Sequence, residues 1–190
     1  MIAMFGGAAG SGKTTIARKW CLSRTLAVHI EFDEIRDLIV AGRADPQVLT
    51  ELQAAQYEVT VRACCALART FADAGYDVAI DEGFGPEETL SLWKPALEDR
   101  DARLVILHPS LKSVLQRGAS RAKHVLEEHV LTQHASVGRW PVHVRVDSSL
   151  QSIEETVQHA SQVLTKSSLR QLATDMAHNT SLHPTSFADG

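Results

Sequence analysis

Gly7-Ala-Ala-Gly-Ser-Gly-Lys-Thr14 follows the apolar run Met1-Ile-Ala-Met-Phe5 and precedes Ile16-Ala-Arg-Lys-Trp20, so a glycine-rich octapeptide joins a strand-like segment to an amphipathic helix. It satisfies the pattern G-x-x-x-x-G-K-[ST] at every constrained position and in both flanks. The mechanism explains the spacing. Gly7, Gly10 and Gly12 permit positive φ and close backbone approach, so successive N–H groups converge on phosphate oxygens while the helix that follows presents its positive end. Lys13 is placed to reach β and γ phosphates, and Thr14 to offer its hydroxyl to Mg2+; Thr15 is expected to turn inward as helix packing. Gly7, Ala8, Ala9, Gly10, Ser11, Gly12, Lys13, Thr14 and Thr15 form the candidate nucleotide site.

Outward from this loop, short apolar runs alternate with longer helical periodicities, the pattern of βαβ units around a mostly parallel sheet. Strands are expected at 2–6, 27–32, 77–81, 103–108 and 142–146, and helices at 13–24, 34–41, 46–74, 86–99, 111–119 and 152–165. Five strands make one sheet. Gly75 after the alanine-rich run reads as a helix stop. The segment 116–140 carries Arg117, Arg121, Lys123 and Arg139 with only part of a helical repeat, and reads as a small helical lid. From Ser167 the chain turns polar, with Leu169, Leu172, Ala173 and Met176 spaced for one amphipathic helix. The expected organisation is a single nucleotide-binding domain over 1–166, its lid at about 116–140, and a tail over 167–190.

Composition narrows the partners. With 19 basic and 23 acidic residues the net charge is −4, which builds no positive field for long nucleic acids and favours small molecules. The three cysteines, Cys21, Cys64 and Cys65, are an odd count, and the adjacent pair reads as small buried side chains in a helix. No signal-peptide pattern precedes the glycines, and no apolar stretch approaches about 18 residues, so no membrane partner and a cytoplasmic location are the expectations.

Two acidic groups fall at strand ends, where ligands of open α/β sheets collect. Asp33, after His29-Ile-Glu-Phe32, is placed to take the proton of an attacking hydroxyl; the same residue also suits a helix N-cap. Asp81 ends Tyr76-Asp-Val-Ala-Ile80 and occupies the position that orients Mg2+. Glu82 beside it either shares that task, binds substrate or is solvated in the turn Glu82-Gly-Phe-Gly85.

These residues resemble the small P-loop kinases that include gluconate kinase, chloramphenicol phosphotransferase and the 5′-hydroxyl kinase domain of bacteriophage polynucleotide kinase. The likeness covers about residues 1–165 and implies a three-layer P-loop NTPase fold, α/β, with a five-stranded mainly parallel sheet and helices on both faces. Asp33-Glu-Ile-Arg36 is similar to the D-x-x-R of polynucleotide kinase, which implies a general base at Asp33 and a phosphate or substrate contact at Arg36. Arg117-Gly-Ala-Ser-Arg121-Ala-Lys123 resembles the lid of these enzymes; Arg121 is then the catalytic arginine and Arg117 the nucleotide contact. With Lys13 also catalytic, Asp33, Arg36 and Glu82 at the substrate, and Thr14 and Asp81 at the metal, the implied cofactors are ATP and Mg2+. The expected activity is transfer of the γ-phosphate to a hydroxyl of a small molecule such as a sugar, antibiotic or nucleoside. Two alternatives remain: a nucleotide or polynucleotide 5′-hydroxyl kinase, and a regulatory ATPase or nucleotide-gated binding protein.

Other patterns carry less. His124, His129 and His134 are spaced by fives, which drifts around a helix and does not suit a zinc site. Trp20, Trp93 and Trp140 read as core or rim packing, and Leu38, Gln56, Tyr57 and Arg62 as candidate acceptor-lining residues.

Overall fold

In the computed structural model, residues 1–119 and 125–181 are described. Strands β1 (Ile2–Gly6), β2 (Ala27–Glu31), β3 (Asp77–Glu82), β4 (Ala102–Leu107) and β5 (Arg145–Val146) form one sheet in the order β2-β3-β1-β4-β5, with every pairing parallel. The central strands are apolar throughout because both faces are covered by helices. Ile2, Ala3, Met4 and Phe5 are fully buried, as are Val78 to Ile80 and Leu104 to Leu107.

Between the strands run α1 (Lys13–Leu22), α2 (Phe32–Asp37), α3 (Glu51–Asp73), α4 (Pro86–Glu88), α5 (Lys94–Leu97), α6 (Leu111–Ala119) and α7 (Glu127–Val137), and α8 (Ile153–Leu164) and α9 (Leu169–Ser181) follow β5. Helix α3 starts later than the expected 46–74 because the Thr50 hydroxyl accepts from the Gln53 N–H at 3.0 Å and caps it there. It ends on Gly75 at φ 88°, whose left-handed turn lets the Tyr76 N–H reach Phe71 O. Its inner face buries Cys64 and Cys65, the first fully.

The helix expected at 86–99 is interrupted by a π-helical turn, Thr89–Trp93. Pro95, just beyond, has no N–H and its ring crowds the carbonyl one turn back, so the backbone widens there. The strand expected at 142–146 is shortened to Arg145–Val146, since Val142–Val144 after Pro141 forms a 3-10 turn with Val142 largely exposed. Helix α9 lies against the core: Leu169 and Leu172 are buried, and the Leu104 N–H bonds Ser167 O at 3.0 Å. All three tryptophans are core residues. Among the described residues no helix is long and apolar enough to cross a membrane.

Candidate active site

Parallel register brings the ends of three strands to one edge: Phe5 and Glu31 both lie opposite Asp81, and Gly6 lies opposite Glu82. Beyond that edge sits the loop 7–12. Two of its glycines show how geometry requires them. A Cβ on Gly10 would fall 2.5 Å from the Val114 carbonyl oxygen, and Gly12, at φ 94°, caps α1 in the left-handed region. No side chain caps α1, so the N–H groups of its first turn remain directed at whatever occupies the loop. The Ser11 hydroxyl is buried without a partner, a further polar atom turned into the loop. These features fit a phosphate chain.

Lys13 and Thr14 lie in the first turn of α1. The Thr14 hydroxyl donates to Asp81 Oδ2 at 2.5 Å, and His29 Nε2 lies 3.0 Å from Asp81 Oδ1, so both oxygens of this buried carboxylate are held. A hollow of about 150 Å3 opens here, lined by Lys13, Thr14, Glu31, Asp33, Asp81 and Glu82. Its acidity shows in Glu31, whose carboxyl is raised above the ordinary value by burial and then by the charge of Asp81. Among the described residues no group of three or more His, Cys, Asp or Glu is arranged to hold a metal by itself. A hydroxyl beside one carboxylate instead suits Mg2+, which keeps several waters and draws other ligands from phosphate oxygens.

Thr15 is exposed and does not pack inward. The face of α1 that enters the core is Ile16, Ala17 and Trp20, and helical rotation leaves Thr15 outside it.

Asp33 sits in the first turn of α2 and is not its N-cap; that position is Glu31. One oxygen of Asp33 pairs with Arg36 Nη2 at 2.8 Å. Asp33, Lys13 and Glu82 line both the small hollow and a larger adjoining cleft of about 590 Å3, which Arg36 also reaches. Glu82, half-buried at the end of β3, has its carboxyl pushed up to about 7, first by burial and then by Asp33, with Lys13 opposing.

The far wall of the cleft is α7, which the sequence shows only as part of a lid. His129, Thr132, Gln133 and Ser136 stand on it at i, i+3, i+4 and i+7 and all line the cleft. That polar stripe at helical spacing was the readable signal. Gln133 Oε1 accepts from the Ala9 N–H at 2.9 Å, and Val130 packs with Ala8 and Val114, so α7 rests on the phosphate loop itself. His29 was also missed; it alternates with Glu31 on a strand otherwise apolar at Val28 and Ile30, which marks one polar face.

Of the expected acceptor-lining residues, Tyr57 borders the cleft. Leu38 is exposed, Gln56 is bound to the backbone at Gly42 and Ala44, and Arg62 pairs with Glu58. Arg117, near the end of α6, donates to Ser148 O at 2.8 Å and so lies beside the loop after β5. Arg121 and Lys123 lie outside the described residues.

An AAA domain family model matches residues 2–140. The chain belongs to the AAA domain family. No curated protein matches it. Among solved structures, this AAA domain is similar to a sugar kinase from Janibacter sp. HTCC2649, with TM-score 0.64 and 18% identity over 90% of this chain and 96% of that one. It is also similar to the tunicamycin resistance protein of Deinococcus radiodurans, with TM-score 0.62 and 18% identity over 85% and 94% of the two chains. A gluconokinase from Sinorhizobium meliloti 1021 gives TM-score 0.61 and 17% identity over 94% and 96%. At these identities the likeness shows the fold alone.

Proposed function

We propose that this AAA domain is an ATP- and Mg2+-dependent phosphotransferase that moves the γ-phosphoryl group to a hydroxyl of a small molecule. The observation that carries this reading is the position of Asp33, which borders both the phosphate-side hollow and the adjoining cleft. A switch protein needs the hollow alone. An acceptor hydroxyl in the cleft stands next to a carboxylate that takes its proton as the new O–P bond forms, while the bond from the γ-phosphorus to the bridging oxygen breaks and ADP leaves. Arg36 holds Asp33 in place for that exchange. Lys13 neutralises the developing charge, with Arg121 as the further cation assigned from the lid pattern. Mg2+, held through the Thr14 hydroxyl and phosphate oxygens with Asp81 behind it, would supply additional neutralisation. Arg117, beside the loop after β5, suits the nucleotide's base end.

The Asp33→Asn variant tests the assignment. It keeps the shape and removes the base, so phosphoryl transfer should fall roughly 10²–10⁴-fold while ATP binding, read by calorimetry, is retained. Wild-type transfer rates in that variant overturn the role of Asp33. Phosphate released solely as the inorganic ion across a broad panel of alcohols would favour a regulatory ATPase. Activity confined to polynucleotide 5′ ends and collapsing with salt would favour the nucleic-acid reading.

A further inference from the structure

Among the described residues, the cations around the cleft are already committed. Lys13 belongs to the phosphates, Arg36 is paired with Asp33 at 2.8 Å, and Glu58 is paired with Arg62 at 2.9 Å. His129 is pushed below its ordinary value, first by burial and then by Arg36, so it adds little positive charge at neutral pH. Glu82 and Glu88 border the cleft with no ion-pair partner among the described residues. An anionic group brought here would lose its water and meet the Glu88 carboxylate and a partly ionised Glu82 in return. Arg36 borders the cleft with its charge already met by Asp33, so a ligand there finds a hydrogen-bonding pair with little net charge. Against this polar end stand Tyr57 and Leu92, both half-buried, with Phe84 and Val137 fully buried in the wall and Leu49 at 94% exposure where the cleft meets solvent. A cleft of about 590 Å3 matches a drug-sized ligand and exceeds what a small polyol needs.

We propose that the acceptor is an amphiphilic alcohol without negative charge, its hydroxyl at Asp33 and Arg36 and its aromatic or aliphatic body along Tyr57 and Leu92. This rests on the phosphotransferase reading and names its substrate class.

Four matched probes test it on the full chain with AMPPNP and Mg2+: 3-phenylpropane-1,2-diol, phenylalaninol, 3-phenyllactate and glycerol. Dissociation constants are read by ligand-observed NMR. The phenyl diol and phenylalaninol should each bind about tenfold or more tighter than phenyllactate, and the phenyl diol about tenfold or more tighter than glycerol. Glu88→Lys should narrow the gap to phenyllactate. Phenyllactate binding as tightly as the diol, glycerol binding as tightly as its phenyl analogue, or no binding of the diol at about 10 mM overturns the class. Transfer from ATP is assayed separately on the same compounds. Binding in the expected order without phosphoester formation would sink the phosphotransferase reading and leave the pocket's class standing; transfer that prefers phenyllactate would do the reverse.

Discussion

Glu82 closes β3 under the phosphate loop, and its raised carboxyl makes the folded protein sensitive to proton concentration. Its value rises from the ordinary 4.5 to about 7, so between these limits the folded chain holds more protons than the unfolded chain. This contribution to stability is fully present below the lower limit and is lost as pH rises through the upper one. The midpoint of thermal unfolding should therefore decline between about pH 5 and about pH 8, and Glu82→Gln should flatten that decline. Calorimetry in matched buffers reads it; equal slopes for the two proteins would remove Glu82 as the cause. At this scale the phosphate loop was legible because its backbone geometry admits few residues, with a blocking carbonyl at Gly10 and a left-handed φ at Gly12. His29 and Gln133 were not legible as site residues. Each meets its partner across 52 and 124 positions of chain, and no local pattern encodes such a meeting.

Helix ends carry the next layer of information. Helix α8 opens with a capping box: the Ser152 hydroxyl accepts from the Glu155 N–H at 3.2 Å, and Glu155 accepts from the Ser152 N–H at 2.8 Å. Ser152→Ala should cost about 1 kcal/mol, measured by urea unfolding. A loss below a few tenths would mean that water replaces the cap without penalty. Signals of this kind are local, which is why most helices fall near their expected places. Helix α7 escaped because its polar stripe faces a cleft, so hydrophobic periodicity gives a weak reading of it. The π-helical turn before Pro95 escaped for another reason: a proline announces disruption without saying whether the helix ends or widens.

For the molecule as a whole, alternation of strands and helices was enough to imply a parallel sheet, but strand order depends on how the crossovers pack. The last helix illustrates this. Read locally, the chain after Ser167 is polar with the spacing of one amphipathic helix but no stated place for it; in the fold, Leu169 and Leu172 of α9 complete the core beside β4. Leu172→Ala should lower stability by about 2–4 kcal/mol, since it empties a fully enclosed position. A change under about 1 kcal/mol by denaturant titration would show that α9 is detachable from the cooperative unit.

The cysteine pair on α3 gives this fold a chemical clock. Cys64 and Cys65 are pushed up to about 12 by burial, and Cys21 to about 11, so none offers appreciable thiolate while the native packing holds. A thiol reagent can therefore modify Cys64 and Cys65 appreciably only in molecules whose α3 has parted from the sheet. The labelling rate then reports how often that seam opens, and any ligand that draws the cleft's walls together should slow it in proportion.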